Sequence, residues 1–111
     1  MTAATYDITL DQGSDYSTTL QVSGQTLDGY GARGQIRPNP RSDQLSAEFS
    51  CTVTGGTSIG GTVEASLTHT QTSELTLASY SYDIEVFNTT TDKAVRLVQG
   101  KIFVNPGVTR T

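Results

Sequence analysis

The chain has 111 residues, of which 34% are hydrophobic and 16% charged, and its net charge is −4 with an isoelectric point of about 4.6. This length suits one domain with a modest core, and the acidic balance speaks against a nucleic-acid binder, which needs a basic surface. The single cysteine excludes an intrachain disulfide. No apolar run approaches the roughly 20 residues of a membrane span, and the N-terminal residues do not resemble a signal peptide, so we expect a soluble protein made in a cytoplasm.

Apolar and polar residues alternate in short segments that are separated by turns rich in Gly, Asn and Pro, which is typical of half-buried strands. The alternation is clearest in residues 45–54, where we expect Leu45, Phe49 and Cys51 to face the core. Seven strands are predicted in this way, over residues 6–11, 16–22, 32–37, 45–54, 63–67, 80–87 and 94–104.

One helical turn interrupts the series of strands. Thr68 and Gln71 fit a capping box, with the Thr68 side chain as N-cap and the Gln71 side chain reaching back. This spacing predicts a helical turn over residues 69–75, and we expect Leu75 and Leu77 to close the bottom of the core.

Residues 80–104 form the most apolar part of the chain and predict the core hairpin. The apolar face of its second strand changes phase between Leu97 and Ile102, with Gly100 in between. Because glycine tolerates the backbone of a β-bulge, we expect the bulge at Gly100.

Regularly spaced short strands predict a sandwich or a barrel. The helical turn before the Tyr80 strand favours an immunoglobulin-like antiparallel β-sandwich of about seven strands, in which Tyr80 is a tyrosine corner and Tyr82 fills the position usual for a cysteine. We expect one sandwich domain over residues 1–104 and an extended C-terminal tail over residues 105–111.

A search for catalytic chemistry finds no complete constellation, so we predict a protein that is not an enzyme and that uses no cofactor or metal. His69, the only histidine, is expected to be a solvent-facing cap residue, and Cys51 a buried core residue. Asp7, Asp11 and Asp15 are four residues apart, but they straddle a turn and lack a calcium-loop motif, which favours solvated acids over a calcium site.

Three arginines are candidates for partner docking. Arg33 and Arg37 are four residues apart and therefore share a strand face, and Arg41 follows after a Pro-containing loop. They form either a docking stripe for an acidic partner or an ordinary solvated face.

Four segments, taken in order, carry a resemblance to a known family. They are Tyr-Asp-Ile-Thr-Leu-Asp-Gln-Gly at 6–13, Leu-Asp-Gly-Tyr at 27–30 before Gly-Gln-Ile-Arg at 34–37, Tyr-Ser-Tyr-Asp-Ile-Glu-Val at 80–86, and Val-Arg-Leu-Val-Gln-Gly-Lys-Ile-Phe-Val-Asn-Pro at 95–106 followed by Val-Thr-Arg at 108–110. Nearly the whole chain thereby resembles the immunoglobulin-like N-terminal domain of phage baseplate upper proteins.

This resemblance implies a non-enzymatic structural protein of the phage virion, made in the host cytoplasm, that docks onto other virion proteins as a homo-oligomer, with a trimer favoured. Baseplate proteins fuse such a domain to a longer region, whereas this sequence stops at Thr111. Positions in the tail, baseplate or neck and a capsid decoration role therefore stay open, as does a module that binds a host-surface carbohydrate. We further expect a terminal segment to dock on a neighbouring subunit by strand addition, with Asn105, Pro106, Val108 and Arg110 as candidate contacts.

Overall fold

The computed structural model describes residues 4–22, 27, 29–55 and 61–107. It contains eight strands and one short helix. In chain order they are β1 (Ala4–Thr5), β2 (Ile8–Asp11), β3 (Tyr16–Val22), β4 (Gly31–Arg37), β5 (Ala47–Gly55), β6 (Gly61–Leu67), α1 (His69–Ser73), β7 (Ser79–Asn88) and β8 (Lys93–Asn105). The predicted elements are therefore present, with ends that move by at most two residues and with one additional two-residue strand at the start.

The strands form one mixed sheet in the order β1-β8-β7-β4-β5-β6-β3, with β2 also paired to β8. Both β1 and β2 run parallel to β8, while every other neighbouring pair is antiparallel. The prediction of a purely antiparallel arrangement was therefore wrong at this edge. β5 pairs with β4 only through residues 47–49 and with β6 from Ser50 onward, so the sheet curls at this strand.

Strands from both halves of the curled sheet contribute to a single hydrophobic core, because their inward side chains follow the period of two. Its members are Ile8, Leu10, Val22, Leu27, Ile36, Phe49, Val63, Ala65, Leu67, Leu75, Tyr80, Tyr82, Ile84, Val86, Val98 and Ile102. Phe49 and Tyr82 meet edge to face across this core, with ring centroids 6.0 Å apart.

The helix α1 confirms the predicted capping box. The Thr68 hydroxyl accepts a hydrogen bond from Gln71 N at 3.2 Å, and Thr68 N donates to the Gln71 side chain at 2.9 Å. Leu75 is buried as expected, but Leu77 is 49% exposed and Leu45 is 43% exposed. Both wrong assignments lie outside regular elements, where a period of two no longer determines which way a side chain points.

The bulge in β8 lies at Leu97 and not at Gly100. Ile84 pairs with Val98 and Glu85 pairs with Arg96, so Leu97 is the extra residue, whereas Gly100 pairs regularly with Tyr82. A Cβ atom at Gly100 would lie 2.2 Å from the carbonyl oxygen of Tyr6. Glycine is therefore required there because the backbone of residues 4–8, which runs parallel to β8, passes very close to it at this point, and not because the strand bulges.

Candidate functional site

The outward side of β4, β7 and β8 forms a continuous polar face. Register places Gln35, Asp83 and Gln99 side by side in one row across the three strands. The next row holds Arg37, Ser81 and Lys101. This polar face is the surface on which the sequence predicted a docking stripe.

A groove of about 660 Å³ lies on the polar face. Its lining combines polar side chains with two aromatic residues, of which Tyr82 is 5% exposed and Phe103 is 43% exposed. Thr5 and Asp7 border it on one side and Pro40 on another. The groove is therefore built from the sheet, the N-terminal segment and the turn after β4.

Two arginines on the polar face are already neutralised by carboxylates. Arg33 forms an ion pair with Glu85, and its guanidinium carbon lies 4.7 Å from the centre of the Phe87 ring. Arg96 lies 3.4 Å from Asp83 and also donates to the Gln99 side chain. These contacts leave neither arginine with a free charge for a ligand.

Arg37 and Lys101 differ from Arg33 and Arg96 in the groups that surround their charges. Arg37 donates to the Gln35 side chain at 2.8 Å and to the Ser42 carbonyl at 3.4 Å, both of which are neutral acceptors. Within the part of the chain that the structure describes, no carboxylate lies within ion-pair distance of Arg37 or Lys101. Both residues line the groove, whose three cations, Arg37, Arg96 and Lys101, outnumber its two carboxylates, Asp7 and Asp83, by one.

The predicted arginine stripe is only partly continuous. Arg33 and Arg37 lie on the same strand face, as the spacing predicted. Arg41 lies on an exposed turn after β4 and does not line the groove. Of the candidate docking residues near the C-terminus, Asn105 ends β8 and Pro106 is exposed, while Val108 and Arg110 lie outside the described residues.

The N-terminal segment is fixed beside the groove by contacts that sequence reasoning missed. The Tyr82 hydroxyl donates to the Tyr6 carbonyl at 2.6 Å, and Asp7 accepts from Lys101 N at 3.0 Å. Burial raises the pKa of Tyr82 to about 12. The only local signal for this contact was Gly100, whose missing side chain lets the Tyr6 peptide approach.

Tyr80 makes the kind of contact that a tyrosine corner requires. Its hydroxyl accepts a hydrogen bond from Leu77 N at 2.9 Å, three residues upstream. Tyr80 and Tyr82 are both 5% exposed. The two tyrosines therefore have structural roles behind the polar face.

The three aspartates that were considered as a calcium site each have different partners. Asp15 accepts from His69 N at 2.6 Å and lies 3.1 Å from the imidazole, and these hydrogen bonds, that from the backbone N–H first, lower the pKa of Asp15. Asp7 and Asp11 have separate partners, Lys101 N and the Asn105 side chain. Among the described ranges, no three His, Cys, Asp or Glu side chains gather closely enough to hold a metal ion.

Cys51 is half-buried rather than fully buried. Burial raises the pKa of its thiol, which keeps it in the protonated form that is a poor nucleophile. The expectation of an unreactive inward-facing cysteine agrees with these properties, although the side chain is less covered than predicted.

In the described ranges, no helix has the length and apolar character needed to cross a membrane. Comparison of the sequence with protein-family models finds no match, and comparison with curated proteins finds none either.

Proposed function

We propose that the chain is a non-enzymatic structural module of a phage virion that docks onto other virion proteins through the groove on its polar face. The resemblance of residues 6–13, 27–30, 34–37, 80–86, 95–106 and 108–110 to the baseplate upper protein domain supports the virion assignment. The groove, with the unmatched charges of Arg37 and Lys101, is the observation that carries the docking assignment.

The strand order supports an immunoglobulin-like sandwich as the finer description of the fold. In such sandwiches one sheet contains strands G, F and C and the other contains B, E and D. The orders β8-β7-β4 and β3-β6-β5 correspond to these two sets. The Tyr80 contact with Leu77 N, at the start of the strand that corresponds to F, is further support.

The docking partner is expected to present acidic side chains. An unmatched cation in a groove attracts a carboxylate, and an arginine can form two parallel hydrogen bonds with it. Because the protein itself has a net charge of −4, the positive groove also sets the orientation in which an acidic partner can approach.

The test is incorporation into particles. The phage that encodes the chain is grown with wild-type protein or with the double variant Arg37→Glu and Lys101→Glu, and the protein is quantified in purified particles by mass spectrometry. We expect the double variant to be depleted at least about tenfold, which corresponds to roughly 1.4 kcal/mol of lost binding.

The matched control carries Arg41→Glu together with Lys93→Glu, because it likewise reverses one arginine and one lysine, at exposed positions that do not line the groove. Thermal unfolding of each purified variant shows whether the fold is retained. Equal incorporation of the double variant and the wild type would exclude the groove as the docking site. Absence of the wild-type protein from purified particles would overturn the virion assignment itself.

The position of the chain on the particle stays open between the tail, baseplate or neck and a capsid decoration site, and we propose that the protein is a homo-oligomer there. Immunogold labelling of intact particles separates these positions, because decoration labels the whole capsid and the other positions label one end. The mass of the purified protein in solution distinguishes a monomer, a dimer and the trimer expected from the sequence.

A second candidate function is binding of a host-surface carbohydrate. The exposed ring of Phe103 lies in the same groove as the side chains of Gln35 and Gln99, and an aromatic surface beside planar polar groups suits a sugar ring. A glycan array with wild-type protein and Phe103→Ala tests this candidate. Binding that Phe103→Ala abolishes would support it, whereas the absence of binding to any glycan would count against it.

A further inference from the structure

The outer edge of β3 is left open by the described residues. β3 pairs with β6 along all seven of its residues, from Tyr16 with Leu67 to Val22 with Gly61. It stands at the end of the strand order, and no described residue forms a backbone hydrogen bond with its other side. Such an edge presents a row of N–H and C=O groups to which another strand can pair.

The sequence of β3 contains none of the features that usually block such pairing. It reads Tyr-Ser-Thr-Thr-Leu-Gln-Val and has no charged residue and no proline. Charged side chains and proline are the common devices that keep an edge strand from pairing. The opposite edge of the sheet differs, because β2 has only four residues and ends in Asp11.

The inward side chains of β3 are incompletely covered. Tyr16, Thr18 and Leu20 are only half-buried. Their partners on β6, Leu67, Ala65 and Val63, are at most 2% exposed. The apolar layer therefore ends at β3 with side chains that a further strand would bury.

We propose that two copies of the chain associate by antiparallel pairing of their β3 strands about a two-fold axis at Thr19. In this register Thr19 faces Thr19, Thr18 faces Leu20, and Tyr16 faces Val22 of the second copy. All seven residues are paired, and inward side chains meet inward side chains. An axis between two residues would instead place every inward side chain opposite an outward one.

The second copy fits because β3 is complementary to itself. Its inward row contains aromatic, β-branched and aliphatic side chains, which are favourable cross-strand pairs. Its outward row, Ser17, Thr19 and Gln21, is polar and uncharged, so the contact brings no like charges together although each protein has a net charge of −4. The same surface on both copies is the usual form of a two-fold interface.

The free part of β5 is a poorer acceptor. β5 pairs with β6 through residues 50–55, and its other side is paired with β4 through residues 47–49. The pairing of β4 with β5 ends at Phe49, so β4 would obstruct a strand added along residues 50–55. β3 has no such obstruction along its paired length.

Sedimentation of the purified full chain, from micromolar to millimolar concentration, tests the proposal. We expect the wild type to form a dimer as concentration rises, and Thr19→Lys to weaken dimerisation at least about tenfold, because it places two like charges opposite each other. Thr52→Lys is the matched control. Thr19 and Thr52 are both exposed, and both pair with Glu64, from opposite sides of β6.

The proposal is overturned if the wild type stays monomeric, if Thr52→Lys dissociates the dimer as strongly as Thr19→Lys, or if a trimer forms that Thr19→Lys leaves intact. These outcomes are independent of the virion role, because they are measured on the isolated protein. Loss of particle incorporation in the groove variants would leave this proposal unaffected.

Disulfide trapping tests the register. In a Cys51→Ala background, Thr19→Cys places two thiols face to face at the two-fold axis, within disulfide reach. Ser17→Cys lies on the same side of the same strand, but its two copies would be four strand residues apart, roughly 13 Å. We expect mild oxidation to give a covalent dimer with Thr19→Cys and far less with Ser17→Cys. Equal cross-linking of the two variants would overturn the register.

Discussion

At the scale of single residues, Gly100 is the described glycine at which an added side chain would have the least room. A Cβ atom there would lie 2.2 Å from the Tyr6 carbonyl oxygen and 2.8 Å from the Tyr6 carbonyl carbon. Both atoms belong to a backbone segment that is itself held by Tyr82 and by Gln99, whose carbonyl accepts from Tyr6 N at 2.9 Å. The segment therefore cannot move aside without losing these hydrogen bonds.

We expect Gly100→Ala to lower the free energy of unfolding by about 1–3 kcal/mol, the usual cost of overpacking. Gly31→Ala is the comparison, because its Cβ would approach only the ring of Phe87, a partly exposed side chain that can turn. Urea unfolding of both variants gives the difference. A Gly31→Ala variant as unstable as Gly100→Ala would contradict this account.

Tyr82 gives the stability a dependence on alkaline pH. Burial raises its pKa to about 12, whereas an unfolded tyrosine ionises near pH 10. The native state therefore keeps a proton that the unfolded state loses, so stability is fully present below about pH 10 and declines as the pH rises towards 12.

We expect Tyr82→Phe to have a flatter decline over this pH range, although it should be less stable at neutral pH because it loses the hydrogen bond to Tyr6. A residual slope should remain, since burial also raises the pKa of Tyr16. Urea unfolding at a series of alkaline pH values measures both curves. Parallel curves for variant and wild type would refute the assignment to Tyr82.

At the scale of elements, α1 is hydrogen-bonded to the turn between β2 and β3. Thr72 is the one fully buried polar residue among those described. Its hydroxyl donates to the Ser14 carbonyl at 2.9 Å and accepts from Gly13 N at 3.1 Å. The helix thereby supplies polar partners to a turn whose own backbone leaves these groups unpaired.

Thr72→Val keeps the shape of the side chain and removes these hydrogen bonds. We expect a loss of about 1 kcal/mol in the free energy of unfolding, because the part-buried hydrogen bonds to Gly13 N and to the Ser14 carbonyl are removed. Thr70→Val, at an exposed position of the same helix, controls for the change in helix propensity. Thermal unfolding should separate the two variants clearly, and equal stability would mean that the turn finds other partners.

The elements also show what the sequence can and cannot predict. The strand over residues 16–22 and the capping box of Thr68 and Gln71 were predictable, because a period of two and a cap depend only on neighbours in the chain. The parallel pairing of Ile8 with Ile102 was not, because it joins residues that are far apart in sequence. The same long-range contact explains Gly100, whose role could not be recognised before the partner of β8 was known.

In the candidate site too, only the features that depend on neighbours in the chain were predictable. That Arg33 and Arg37 share a strand face was predictable from their spacing. That Glu85 neutralises Arg33 while Arg37 keeps its charge was not, because β7 had first to be placed beside β4. The spacing of charges along one strand therefore predicts which side chains share a face. Which of those charges stay free of an ion pair depends on the neighbouring strand.

At the scale of the whole molecule, the start of the C-terminal tail belongs to the folded domain. The Asn105 carbonyl accepts from Gln12 N at 2.9 Å, the Asn105 side chain donates to Asp11 at 3.2 Å, and Gly107 N donates to the Gln12 side chain at 3.2 Å. Gln12 in turn donates to the carbonyls of Ser73 and Leu75. These contacts join the end of β8 to the turn after β2 and to the end of α1.

Truncation therefore has two different expected results. Removal of residues 105–111 should lower the free energy of unfolding by about 1–3 kcal/mol, since it deletes three hydrogen bonds. Removal of residues 108–111 retains every one of these contacts and provides the control. A test of tail docking in particles should use the shorter truncation, because the longer one changes the fold and the tail together. Equal stability of the two truncations would contradict the assignment of these contacts.

The parallel pairing of β2 with β8 also determines how the protein bears mechanical load. β2 begins at Ile8, which lies beside Ile102, and β8 ends at Asn105, which lies beside Asp11. A pull on the two ends of the chain therefore acts on these strands in opposite directions along their length. The bonds between the strands are then sheared together, whereas a pull at Tyr16 and Leu67, which are paired neighbours, opens β3 from β6 one pair at a time. In single-molecule pulling we expect a higher rupture force for attachment at residues 4 and 107 than at residues 16 and 67. A module with this connection is suited to transmitting tension between whatever is joined to its two ends.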